Sequence, residues 1–168
     1  MTKRTAPLIV GNWKSTPKTL VEGVKFIKQL ERKLSSPKIK HPKKSYYLAV
    51  PEIFVPTLSP LAKRGVVGAQ TVHGTVIGHI TGATTPSQLL SGGAAFTIIG
   101  HSEVRGRGET TEERTDKISA SLSFGLTSIL CFGEHKRDKE GKYLEELEND
   151  VKQTLSKTPR ELFKNLVV

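Results

Sequence analysis

The 168-residue sequence predicts an α/β fold built on a parallel sheet, and three observations support that prediction. Strand-like and helix-like segments alternate from one end to the other, the pattern of repeated βα units. The strand segments are continuous apolar runs, such as Phe96-Thr97-Ile98-Ile99, as expected of parallel strands covered on both faces. Polar clusters stand just beyond two of these runs, Asn12-Trp13-Lys14 after the first and His101-Ser102-Glu103 after the fourth. That is the side of an α/β sheet on which ligands bind. The length suits one domain with a proper core, taken as residues 1–168.

The first strand is read over Pro7 to Gly11. Thr16-Pro17 then offers a cap followed by a proline at the first helical position, and Leu20, Val24, Ile27, Leu30 and Leu34 recur at helical spacing. Pro37 and Pro42 break the connection from Ser35 to Ser45, and Tyr46 to Val50 forms the second strand, closed by Pro51. A short helix is expected around Pro56 to Lys63 and a third strand over Gly65 to Gln70. The Gly- and Thr-rich passage from Thr71 to Thr85 exceeds the usual strand-to-helix loop of about two to six residues, which marks it as functional or interfacial.

Pro86 to Leu90 opens the next short helix, Phe96 to Gly100 is the fourth strand, and a helix over Glu109 to Phe124 turns Ile118 and Leu122 inward. Gly125 reads as its left-handed cap. The fifth strand is Thr127 to Phe132, followed by a helix over Tyr143 to Leu155 whose buried stripe is expected to be Leu144, Leu147, Val151 and Leu155. A turn of helix after Pro159 leads to Asn165-Leu166-Val167-Val168, the opening of a sixth strand inside which the chain is expected to stop. Six strands in repeated βα units suit either an open doubly wound sheet or part of a closed barrel, and periodicity does not choose between them.

The formal charge of +10 is unevenly spread. Residues 1–64 hold 14 lysines and arginines against three acids, whereas residues 109–168 hold 10 against 12. Aromatic residues do not interleave with the bases, so a solvated basic surface is expected rather than a nucleic-acid site. Cys131, the single cysteine, lies in an apolar run and reads as a small buried hydrophobe. With no run of membrane-spanning length and no apolar leader after Met1, a cytoplasmic protein is expected.

The two strand ends would bring an amide, an ammonium, an imidazole and a carboxylate to one crevice. Lys14 suits a developing oxyanion or a phosphoester, Asn12 a carbonyl or hydroxyl, and His101 proton exchange with a reacting oxygen. An ordinary helix start, with Ser102 as cap and Glu103 facing the helix dipole, accounts for the second cluster equally well. The coincidence of two such clusters on strand ends favours chemistry.

Taken in order, Val10-Gly11-Asn12-Trp13-Lys14, Gly68-Ala69-Gln70, Thr81-Gly82, Ile99-Gly100-His101-Ser102-Glu103, Gly108-Glu109 and Ile129-Leu130-Cys131-Phe132-Gly133-Glu134 resemble the triosephosphate isomerase family from residue 8 onward. The resemblance implies a TIM (β/α)8 barrel, incomplete in this chain, that interconverts dihydroxyacetone phosphate and glyceraldehyde 3-phosphate through an enediolate, with neither metal nor organic cofactor. It makes Asn12 and Lys14 substrate-binding groups, His101 the neutral electrophile, a role for which this family is a standard worked example, and Glu103 a supporting group against Lys14. It implies a homodimer in which Thr81 of the 71–85 loop reaches the partner's site.

Three departures accompany the resemblance. Ala83 and Val104 stand where the family pairs an acid and an arginine across the dimer interface, so both halves of that ion pair are expected to be missing together. The stretch from Val104 to Gly108 is one residue short, which leaves the alignment of Arg105 and Arg107 open. The family's glutamate base and most of its phosphate site follow the sixth and later strands, and these 168 residues supply neither, so little catalysis is expected from them alone. A non-catalytic half-barrel that pairs with another chain, or binds anionic polymers through its basic half, is the alternative. Another phosphosugar enzyme on the same barrel is a third reading.

Overall fold

The computed structural model describes residues 8–36, 46–75, 80–134 and 137–168. The start before Leu8, most of the Ser35 to Ser45 connection and residues 76–79 of the long loop lie outside them. The elements are β1 (Val10–Asn12), α1 (Leu20–Leu34), β2 (Tyr46–Val50), α2 (Val55–Leu58) between two 3-10 turns, β3 (Gly65–Ala69), α3 (Pro86–Ser91), β4 (Phe96–Ile99), α4 (Ser102–Arg105), α5 (Thr111–Ser123), β5 (Thr127–Leu130), α6 (Lys142–Leu155), a 3-10 turn (Arg160–Asn165) and β6 (Leu166–Val167).

All strand pairs are parallel and the sheet order is β1-β2-β3-β4-β5-β6. This order resolves what periodicity left open. A doubly wound sheet reverses direction once and places helices on both faces, whereas each right-handed crossover here steps to the next strand and leaves its helix on the same side. The strands therefore curl into a partial (β/α)8 barrel.

Side chains alternate across the strands and build two cores. On the helix side Leu48, Val50, Val67, Ala69, Ile99 and Leu130 pack against Ile27, Leu58, Leu89, Ile118 and Leu122. On the inner side Ala49, Val66, Phe96 and Ile98 form a smaller cluster with Val10, Tyr47, Ile129 and Cys131 around it. Phe96 is almost fully buried and its ring meets that of Tyr47 at 5.7 Å. Asn12 shares the face of Val10, so the inner layer ends in polar side chains at the carboxyl edge.

Four local expectations are corrected. The cap of α1 is Thr19, not Thr16: its hydroxyl accepts from the Glu22 N–H and Glu22 Oε2 accepts from the Thr19 N–H, a reciprocal capping box. Thr16 instead donates its hydroxyl to the Trp13 carbonyl at 2.6 Å. In α6 Leu144 is 58% exposed, because the inward face runs through Tyr143, Leu147, Asp150, Val151, the buried Thr154 and Leu155, so only Leu144 leaves the expected stripe. The helix at residues 52–61 starts earlier and ends sooner than Pro56 to Lys63, as two 3-10 turns flanking α2. Cys131 lies one residue beyond β5 and is half-buried rather than enclosed in a strand. Gly125 holds a φ of 79° after the last residues of α5, as expected.

Candidate active site

Asn12 ends β1 opposite Ala49, and the chain then turns sharply. The Trp13 N–H still donates to the Ala49 carbonyl at 3.0 Å, while the Lys14 N–H donates to Asn12 Oδ1 at 2.9 Å. Asn12 thus spends its oxygen on shaping the turn, and its amide nitrogen takes no part in that hydrogen bond. Lys14 adopts a φ of 53°, the left-handed region that a lysine enters only when its surroundings enforce it. Gln70, the first residue past β3, supplies that enforcement: its Nε2 donates to the Lys14 carbonyl at 2.7 Å and to the Ala49 carbonyl at 3.3 Å.

The second strand end is shaped by Gly100. It holds a φ of 75°, and a Cβ there would stand 2.5 Å from the Cys131 carbonyl oxygen, so only glycine fits. His101 follows as the N-cap of α4, its Nδ1 accepting the Glu103 N–H at 3.2 Å. The helix-start reading therefore holds with a change of residue: His101, not Ser102, is the cap. A ring whose Nδ1 accepts in this way keeps Nε2 as the nitrogen that donates.

The two ends meet through one ion pair. Lys14 Nζ donates to Glu103 Oε1 at 2.7 Å, and the other carboxylate oxygen lies 3.7 Å from His101 Nδ1. Both members of the pair are about half exposed. The hydrogen bond from Lys14 holds the Glu103 carboxyl below the ordinary glutamate range, opposed by partial desolvation and reinforced by the charges of Lys14 and Arg107. Asn12, Lys14, His101 and Glu103 thus form one connected group across β1 and β4.

The surrounding residues tie that group to the sheet. Arg105 of α4 donates from its guanidinium to the Gly133 carbonyl at 2.9 Å, clasping α4 to the exit of β5. Burial pushes the Cys131 thiol up, the reverse of what a nucleophilic cysteine needs. Thr81 is exposed and lines a different groove of about 350 Å³ with Glu52, His73, Ala83 and Lys117. Among the described residues no group of three or more His, Cys, Asp and Glu side chains is placed to hold a metal ion.

Sequence reasoning did not foresee the latch from Gln70 or the clasp from Arg105. A signal for Gln70 was present, since it closes the third strand run at the same edge of the sheet that Asn12 and His101 occupy. Nothing in the order of residues shows which carbonyl an arginine six bonds long will reach.

A singly wound parallel barrel with an amide, an ammonium, an imidazole and a carboxylate gathered at its carboxyl edge defines an α/β-barrel protein of the kind whose site lies on that face. The family model for triosephosphate isomerase matches residues 7–168. The chain belongs to that family. It is similar to the curated triosephosphate isomerase of Bacteroides fragilis, 37% identical over 137 residues that make up 79% of this chain and 53% of the relative. The protein of the same name from Clostridium botulinum is 33% identical over 98% of this chain and 65% of its own length. That of Picosynechococcus is 35% identical over 79% and 55%. The chain therefore spans between half and two thirds of the length of these relatives.

Proposed function

We propose that these residues supply the substrate-binding and polarising half of a triosephosphate isomerase site. The observation that carries the reading is the connected group at the carboxyl edge, in which Lys14 of the β1 turn meets Glu103 beside His101 of the β4 turn. His101 Nε2 donates to the substrate carbonyl and its enediolate, Lys14 offsets the negative charge of the phosphorylated triose, and the Asn12 amide orients it. Glu103 fixes the ammonium and takes no proton from substrate. The base belongs after the sixth strand, in the part of the relatives' length that this chain does not span, so a 168-residue polypeptide made alone has little turnover.

The same reading makes the complete protein a cytoplasmic homodimer whose 71–85 loop carries Thr81 to the partner's site. What supports the part given to the loop is that Thr81 is exposed and lines a groove that none of the four site residues lines. The test is an aldose–ketose interconversion assay on a single-chain fusion of residues 1–168 with the unmatched part of the Clostridium botulinum relative. Interconversion of the two triose phosphates is expected; a folded fusion without it counts against the reading.

A further inference from the structure

The outer wall of α1 carries cations that the chain leaves without counter-charge. Val21, Lys25, Lys28 and Arg32 follow one another at helical steps and, with Val24 and Gln29, line a shallow groove of about 410 Å³. Lys25, Lys28 and Arg32 are exposed, and among the described residues none of them has a carboxylate within ion-pair distance. The three acids of residues 1–64 are engaged elsewhere: Glu22 Oε2 accepts the Thr19 N–H, Glu31 accepts from the Tyr46 hydroxyl and the Arg64 N–H, and Glu52 lines the groove beside Thr81. Residues 37–45 add four lysines and no acid. Exposed cations are treated differently around α6, where Lys152 pairs with Glu148 at 2.5 Å and Lys157 with Asp116 of α5 at 3.1 Å. On α1 the neighbours three and four residues apart are like charges, which disfavour the helix until an anion covers them.

The groove lies on the flank of α1 that looks toward β3, not on the flank beside the unpaired edge of β1. Glu31 meets Tyr46 and Arg64, and Ser35 Oγ accepts from Arg64 Nε at 3.3 Å, so both mark the β3 side. At about 100° per residue, Lys28, Val21, Arg32 and Lys25 stand about 60° to 120° from Glu31 in the direction of Ser35, and Phe26 about 140° the other way. α2 is only four residues long and leaves that flank open. We propose that this face docks an acidic helical segment of a partner protein, whose carboxylates meet Lys25, Lys28 and Arg32 while an aliphatic side chain beside them settles on Val21 and Val24. Charge complementarity assigns the sign of the partner. The floor assigns its class: Val21 is 77% exposed, and no aromatic ring among the lining residues offers a base a surface to stack on. A helix presenting carboxylates at steps of three and four matches the spacing of the three cations. A second copy of this chain does not fit, because its own α1 brings cations to cations. None of Asn12, Lys14, His101 and Glu103 lines the groove, so docking can fail while the isomerase reading stands, and the reverse.

The experiment titrates the full 168-residue chain into a dye-labelled synthetic helical peptide, with three glutamates at steps of three and four and a leucine stripe beside them, and follows fluorescence anisotropy. Saturable binding is expected at low salt, weakened as salt rises. The double variant Lys28→Glu/Arg32→Glu should weaken it about tenfold or more, and a peptide with lysines in place of the glutamates should bind that variant better than it binds the parent. This exchange of charges separates a lost contact from a lost fold. Val21→Gln should weaken the peptide by a smaller factor, through the floor. Lys152→Glu/Lys164→Glu makes the same change in net charge at exposed positions on another face and should leave binding as it was. A DNA duplex and phosphatidylserine vesicles serve as competitors for the same face. No saturable binding, equal weakening by the two double variants, or displacement of the peptide by the duplex or the vesicles at lower concentration than by unlabelled peptide would each overturn the proposal.

Discussion

Glu103 is the residue on which the site turns, because it touches both strand ends: its carboxylate takes the Lys14 ammonium and its backbone N–H holds His101 Nδ1. The role is structural and electrostatic at once, and its pH behaviour follows from the sign of its shift. The hydrogen bond from Lys14 places the folded-state pKa below the unfolded value. The contact therefore favours the folded form above the ordinary glutamate range and loses that contribution as pH falls through the folded value. A carbon-detected NMR titration should show Glu103 ionising below ordinary glutamates, and Lys14→Met should bring it back up. A Glu103 that titrates identically in both proteins would mean that the pair does not persist in solution.

At the level of elements, the site depends on a contact between β3 and the turn after β1. Gln70 holds the carbonyl of a lysine in a left-handed conformation, so losing its amide both strips two backbone carbonyls of a donor and releases the turn. Gln70→Leu is expected to cost about 1 kcal/mol in urea unfolding. In the same variant Trp13 fluorescence should shift because its turn loosens; unchanged stability and emission would remove Gln70 from the account. The strands were legible in the sequence because each is an apolar run bounded by Gly, Pro or polar residues, and β2 falls on Tyr46–Val50 as read. The cap of α1 was misread although its signal is visible: Thr19 has Glu22 three residues on, and Thr16 does not. In α6 the apolar spacing pointed to Leu144, whereas the real inward face admits polar residues, Asp150 pairing with the buried Arg114 and Thr154 packing behind it. The meeting of Lys14 and Glu103 could be anticipated from two strand ends on one side of a sheet. The acceptance of Asn12 Oδ1 by its own turn could not, because it depends on the local path of the backbone.

For the molecule as a whole, sheet order carries the most weight. Six parallel strands in sequential order place every helix on one side and every polar strand end at one rim, which is why residues 89 positions apart can form an ion pair. The lopsided charge has a place in the same picture: the basic N-terminal segment contributes Lys14 to that rim, and the proposed function would use that charge to draw in an anionic substrate. The central claim is that this rim polarises a carbonyl through His101. The most direct measurement is the steady-state kinetics of His101→Gln in the single-chain fusion that completes the barrel. The expected result is a turnover reduced about 10² to 10⁴-fold with KM changed only a few-fold, since the imidazole acts on the developing charge more than on bound substrate. Turnover unchanged by His101→Gln would contradict the claim.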